Sequence, residues 1–220
     1  MPNMDQSWDS LLSHFGSAIK TDQPLAPYTT LQIGGPARYL YQANDQDQLI
    51  DILKFVTQHQ LPYLVIGGGS NLLISDKGYD GLVILNQLQG IKSENSTVTV
   101  SSATPLQQLV DYNIELGLSG TELLTGIPGT VGGAVYGNAG AYGQTISDHL
   151  VSVTAFDGNQ IITISKQDCH FSYRHSQFKE THFTILECLF QLSPADHSQL
   201  KQLAEQTLTK RLLKYPAGIK

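Results

Sequence analysis

Apolar residues recur with two distinct periods along this chain, and the switches between them divide it into elements. Trp8, Leu11, Leu12 and Phe15 fall at i, i+3, i+4 and i+7. That is the spacing of one helix face, and Gly16 stands where a helix C-cap would. Past Pro24 and Pro27, the sequence Gly34-Gly35-Pro36 predicts a turn into a strand over 38–43. A second helix is expected over 45–59, with Leu49, Ile50, Leu53 and Val56 on one face. The β-rich run Tyr63-Leu64-Val65-Ile66 then breaks on three glycines, and the residues after them read as another strand.

Further strands are expected over 81–85 and, with alternating pattern, 97–103. Residues 105–116 read as a helix, with Pro105 near its first turn, Leu106, Leu109 and Val110 facing inward, and Gly117 as its stop. Strands are expected again over 150–156, 160–164 and 183–192, the first two joined by the hairpin signal Asp157-Gly158-Asn159. A last helix is expected over 195–213, with Leu200, Leu203, Leu208 and Leu212, halted before Pro216. Strands and helices mixed in this order, with hairpins late in the chain, predict an α+β fold. A soft boundary falls near 86–90, and the implied division is 1–86, 87–197 and a connecting helix over 198–220.

Composition narrows the possibilities without choosing among them. With 220 residues, 40% hydrophobic and 15% charged, the chain can bury a core of ordinary size. A net charge of −6 argues against a general nucleic-acid binder, which would show a basic stripe. No window approaches the ~18 apolar residues of a membrane span, and no secretory leader is apparent in the first twenty, so a cytoplasmic setting is expected. Cys169 and Cys188 have no second pair and no clustered histidines beside them, so a metal site is not expected and free thiols are.

Three stretches could carry chemistry. In Ile66-Gly67-Gly68-Gly69-Ser70-Asn71-Leu72-Leu73, a strand running into glycines would expose backbone N–H groups. Such a nest suits a pyrophosphate, with Ser70 and Asn71 adding donors. It is not the dinucleotide fingerprint, since position 72 is leucine, and no Gly-Lys-Ser/Thr follows as in a P-loop. Read alone, the triple glycine is first of all a tight turn between strands. The run 126–143 holds seven glycines and three alanines in eighteen residues. Ile127, Val131 and Val135 lie among them, so the run is anchored in a core while its small residues let something flat press on the backbone. Third, Arg174 beside Tyr173 could take a carboxylate in bidentate fashion, although a lone arginine also serves as a surface ion-pair partner. Arg211 and Lys214 near the end of the last helix would also suit its dipole.

The order and spacing of these stretches resemble one family. Thr29-Thr30 with Gly34-Gly35-Pro36-Ala37, the Gly-Gly-Gly-Ser-Asn loop, Gly126-Ile127-Pro128-Gly129 through Gly143, and Tyr173-Arg174-x-Ser176 with Phe178-Lys179 are similar to the UDP-N-acetylenolpyruvoylglucosamine reductases of peptidoglycan synthesis. The resemblance implies an FAD-binding fold of the vanillyl-alcohol-oxidase (PCMH) type, with FAD clamped between two α+β subdomains. It also implies NADPH as electron donor and the enolpyruvyl ether of UDP-N-acetylglucosamine as substrate. The FAD would be held by Gly67, Gly68, Gly69, Ser70, Asn71 and Leu72, by Ile127, Pro128, Gly129, Gly132, Gly133, Asn138, Gly140 and Ala141, and by Ile185 and Arg211. Tyr142, Tyr173, Arg174 and Lys214 would face substrate, with Arg174 binding its carboxylate and stabilising the enolate. Arg211, Lys214 and Pro216 match an Arg-x-x-Lys-x-Pro pattern.

The resemblance further implies a third domain carrying a proton-donating serine and a glutamate, for which these 220 residues hold no counterpart. A truncated form with little activity alone, or one completed by a separate chain, is therefore expected. Another flavin oxidase or dehydrogenase of the superfamily, or a non-catalytic FAD-binding module, stays open as an alternative.

Overall fold

A computed structural model describes residues 4–214, which divide into two units: residues 4–88 with 158–160, and residues 89–157 with 161–214. The first unit runs α1 (Met4–Phe15), β1 (Ile19–Pro24), β2 (Pro36–Ala43), α2 (Gln46–Gln58), β3 (Tyr63–Ile66) and β4 (Tyr79–Asn86). Its four strands lie in the order β1-β2-β4-β3. β1 is antiparallel to β2, whereas β2 and β3 both run parallel to β4. The central strand β4 is buried from Gly81 to Asn86, which explains its unbroken apolar run: a parallel strand covered on both faces has no polar side to alternate with.

Asp45 caps α2, its carboxylate accepting from the Gln48 backbone N–H at 2.8 Å. The buried face of α2 is Leu49, Ile52, Leu53 and Val56. Ile50, expected on that face, is half-buried, because the i, i+3, i+4, i+7 stripe starting at Leu49 passes through Ile52 instead. The strand expected after the three glycines is a second correction. Residues 70–78 form turns and irregular chain before β4 starts. Parallel neighbours cannot be joined by a hairpin, so the chain must travel back along the sheet before entering β4. Ile74, 9% exposed, anchors this return in a core of Leu25, Ala37, Leu40, Ile66, Val83 and Leu85.

The second unit runs β5 (Ile91–Glu94), β6 (Thr97–Ser101), α3 (Leu106–Glu115), β7 (Leu118–Ser119), α4 (Val131–Tyr136), β8 (Gly140–Ala141) and β9 (Gln144–Thr145). It continues through β10 (Leu150–Phe156), β11 (Ile161–Ser165), β12 (Thr184–Gln191), β13 (Ser193–Pro194) and α5 (His197–Lys214). Five strands form an antiparallel sheet in the order β11-β10-β12-β6-β5. Two short pairs, β13-β7 and β8-β9, stand apart from it. Val98, Val100, Val153, Ala155, Cys188 and Phe190 from the sheet pack with Leu106, Leu109 and Val110 of α3 and Val131 and Val135 of α4.

Of the four leucines expected on the last helix, one is buried and three are exposed. Leu200, Ala204 and Thr207 of α5 are buried, whereas Leu203, Leu208 and Leu212 are 38%, 39% and 44% exposed. The inward stripe is i, i+4, i+7 from Leu200, and small residues on it bring the helix close to its neighbours. Pro216, expected to halt this helix, lies outside the described residues. Among those described, no helix is long and apolar enough to cross a membrane.

Candidate functional site

In the first unit, β3 delivers the chain to Gly67 and Gly68, both exposed, while Gly69 is buried. Gly69 has φ +60°, and a Cβ there would overlap the Tyr28 carbonyl oxygen, so no other residue fits without moving that backbone. The Gly69 carbonyl accepts from the Thr30 N–H at 3.2 Å. Thr29, 4% exposed, holds the facing loop by donating from Oγ1 to the Ile33 carbonyl at 3.0 Å. The two motifs Thr29-Thr30 and Gly67-Gly68-Gly69 are thus one built corner. Beyond it Ser70 and Leu72 are half-buried and Asn71 is exposed, so the corner offers short exposed backbone beside a hydroxyl and an amide. Leu73 follows, 76% exposed.

In the second unit, the glycine-rich run is fastened at closely spaced points. Gln107 on α3 accepts the Gly126 N–H at 2.7 Å and donates to Thr125 Oγ1 at 2.9 Å. The Leu106 N–H reaches the Gly129 carbonyl at 2.9 Å, and the Val131 and Gly132 N–H groups reach the Thr104 and Ser102 carbonyls at 2.9 and 2.8 Å. Thr130 then caps α4, accepting from the Gly133 N–H at 3.3 Å. Within α4, Val131, Gly132, Ala134 and Val135 are buried, and Gly133 and Tyr136 are exposed. The run therefore turns Val131 and Val135 into the core, as the interspersed valines suggested, and leaves Gly133 and Tyr136 on its outer side.

After α4 the chain passes through buried Asn138 at φ +40° into the β8-β9 pair, which has Tyr142 at φ +53° and Gly143 at its tip. The Arg211 guanidinium from α5 lies 5.4 Å from the Tyr142 ring centroid and donates from Nε to the Thr125 carbonyl at 3.0 Å. Gly126, at φ +73°, is where this arginine passes: a Cβ there would stand 2.9 Å from Arg211 Cδ and 2.9 Å from Leu208 Cδ1. Arg174 Nη2 makes a long contact of 3.5 Å with the Gly140 carbonyl, and Asn138 Nδ2 donates to the Ser172 carbonyl at 2.9 Å. The second unit thus brings Asn138, Gly140, Tyr142, Arg174 and Arg211 into one neighbourhood.

The other expected residues are distributed differently. Tyr173 is 90% exposed beside Arg174. Pro128 is exposed and Ile127 half-buried against the core. Ile185 is 7% exposed and belongs to the core cluster of the second unit. Lys214, the last described residue, is exposed. Gln107, Thr125 and Ser102 escaped the sequence reading, since their contacts join residues far apart in the chain and no local pattern marks them.

Two buried atoms bear on whether a flavin cofactor suits this neighbourhood. Asn138 Oδ1 and Arg211 Nη2 are both buried without a hydrogen-bond partner among the described residues. An unsatisfied buried polar group costs about 1–3 kcal/mol. An acceptor and a donor left open beside a small-residue surface match a flat ligand with polar edges and phosphate oxygens, so the residues present fit FAD. Both cysteines lie in the same unit but outside this neighbourhood. Desolvation by burial pushes the Cys169 thiol up to about 11 and raises Cys188 further, so both are neutral, inert thiols at neutral pH. Among the described residues no cluster could hold a metal ion.

Comparison with known proteins bears on the same stretch. Residues 37–164 match the FAD binding domain family. A UDP-N-acetylenolpyruvoylglucosamine reductase of Streptomyces coelicolor is 39% identical over 80% of this chain and 47% of its own length. One from Caldicellulosiruptor bescii is 35% identical over 96% of this chain and 70% of its own length. The chain therefore spans between about half and about two thirds of these relatives. Among solved structures, UDP-N-acetylenolpyruvylglucosamine reductase (MurB) from Thermus caldophilus superposes with a TM-score of 0.74 at 31% identity, covering 88% of this chain and 68% of that one. An alkyldihydroxyacetonephosphate synthase superposes at 0.60 with 16% identity over 86% of this chain and 40% of its own, which shows a shared fold.

Proposed function

This chain belongs to the UDP-N-acetylenolpyruvoylglucosamine reductase family, and on that premise we propose that it holds FAD for the NADPH-driven reduction of the enolpyruvyl ether of UDP-N-acetylglucosamine, a cytoplasmic step of peptidoglycan synthesis. The observation that carries the reading is the pair of unpartnered buried atoms, Asn138 Oδ1 and Arg211 Nη2, beside the small-residue run.

FAD, when bound, supplies the hydride chemistry. In the first unit Gly67, Gly68, Gly69, Ser70, Asn71 and Leu72 cradle its pyrophosphate through backbone and side-chain donors. In the second unit Ile127, Pro128, Gly129, Gly132, Gly133, Asn138, Gly140 and Ala141 line its path, with Ile185 and Arg211 completing that wall. Arg174 binds the substrate carboxylate and steadies the negative charge that develops there, which a preorganised guanidinium does without reorganising. Tyr142 and Tyr173 face the same substrate, and Lys214 meets its diphosphate.

No serine or glutamate within these 220 residues is assigned to protonate the substrate carbon. A further domain, in the same or a separate chain, would supply that group. The 220 residues alone should therefore bind FAD yet reduce the substrate at least ~10²-fold more slowly than a complete reductase, since general acid catalysis contributes ~10²–10⁴-fold. The visible absorption spectrum of the purified chain tests the first half: a colourless protein that cannot be reconstituted with FAD rules the reading out. Turnover at an ordinary enzymatic rate would rule out the second half.

A further inference from the structure

Arg174 occupies a backbone conformation that its side chain does not favour. Tyr173 and Arg174 are the central residues of a tight turn closed by reciprocal backbone hydrogen bonds between Ser172 and His175, each 3.1 Å. Arg174 has φ +57°. The second central position of a turn, when φ is positive there, normally falls to glycine or asparagine, because a Cβ crowds the backbone in the left-handed region. An arginine held there owes the conformation to its surroundings.

Those surroundings are the two feet of the turn. On one side, Asn138 Nδ2 donates to the Ser172 carbonyl at 2.9 Å. On the other, the Ser176 hydroxyl, wholly buried, donates to the Tyr136 carbonyl at 2.7 Å. Tyr136 is the last residue of α4, so its carbonyl is one that a helix leaves without an internal partner. Both anchors lead to the end of the glycine-rich helix. An exposed tie, His175 Nε2 to Glu180 Oε1 at 3.0 Å, braces the same turn. Ser176 and Asn138 are buried while Ser172, Tyr173 and Arg174 stand in solvent, so burial of the tip does not impose the strain.

We propose that Ser176, together with Asn138, is a positioning residue that holds Arg174 in its left-handed conformation and so presents the guanidinium to a substrate carboxylate. The proposal rests on the reading of Arg174 given above. A conformer populated only part of the time lowers apparent affinity by that fraction, so loosening the turn should weaken carboxylate binding about tenfold without abolishing it.

The test is nuclear magnetic resonance on the full 220-residue chain, its Ser176→Ala and Ser176→Thr variants, and Asn138→Asp, which keeps the shape and loses the donor. A strong intraresidue HN–Hα Overhauser effect at Arg174 reports positive φ. It should persist in the parent and in Ser176→Thr and fade in Ser176→Ala and in Asn138→Asp, with the remaining amide signals in place. Phosphoenolpyruvate, as an enolpyruvyl carboxylate probe, should shift the Arg174 signals with about tenfold weaker affinity in Ser176→Ala, restored in Ser176→Thr. An undiminished Overhauser effect in both donor-less variants overturns the proposal, as does parental affinity once that effect is lost. If the probe leaves Arg174 unmoved in the parent while the Overhauser effect follows Ser176, the carboxylate role of Arg174 falls and the anchoring stands.

Discussion

Each of the residues that matter most here has its meaning set by one neighbour. Gly69 would be an ordinary turn glycine were the Tyr28 carbonyl not where its Cβ would go. Arg211 would be a dipole-matching cation at a helix end were its Nη2 not buried and open. Ser176 is a short polar residue in a motif until its hydroxyl is found on the Tyr136 carbonyl. The cysteines show the opposite outcome, since desolvation removes the chemistry their type allows. A thiol whose folded pKa is raised contributes its stability below the ordinary value of 9.0 and loses it as pH climbs. For Cys169 that loss should run from pH 9 to about 11 and amount to about 2 to 3 kcal/mol. Urea unfolding across this range should show the decline, and a thiol-reactive dye should label Cys169 and Cys188 only after denaturation. Rapid labelling of the native chain at pH 8 would contradict the burial argument.

Helices and strands were legible to the extent that their pattern was a local matter. The helix expected over 105–116 is observed as Leu106–Glu115, with Gly117 at φ +64° after it. The hairpin around Asp157-Gly158-Asn159 joins β10 to β11 as its turn chemistry predicts. By contrast α4 was not foreseen, since Val-Gly-Gly-Ala-Val-Tyr contains two residues that disfavour helix. It forms because Thr130 caps it and its valines are buried. Thr130→Ala should therefore cost about 1 kcal/mol, readable as a lower denaturation midpoint at unchanged slope. Failure of that substitution to move the midpoint would mean that burial of Val131 and Val135 suffices alone. The leucines of α5 show the same limit: the sequence marks them as apolar, but the neighbours of the helix decide that Leu200 is covered and Leu203, Leu208 and Leu212 are not.

For the molecule as a whole, a net charge of −6 neither helps nor forbids an anionic cofactor, because affinity depends on donors placed at a few atoms. If FAD binds only the folded chain, it should raise stability by about 2.7 kcal/mol at a hundredfold excess over its dissociation constant. A thermal midpoint that ignores FAD concentration would deny binding to the native state. By itself the sequence determined the α+β order, most strand and helix positions, the glycine-rich corners and the family likeness, because periodicity, turn residues and motif spacing are written within a few neighbours. Only the tertiary structure decided that Arg174 sits strained on an anchored turn, that Asn138 and Arg211 keep open polar atoms, and that α5 turns small residues inward. The contacts responsible, Asn138 to Ser172, Ser176 to Tyr136 and Arg211 to Thr125, span 34, 40 and 86 positions. A hydrogen bond across such distances leaves no periodic trace in the chain and exists only once the core has brought its two ends together.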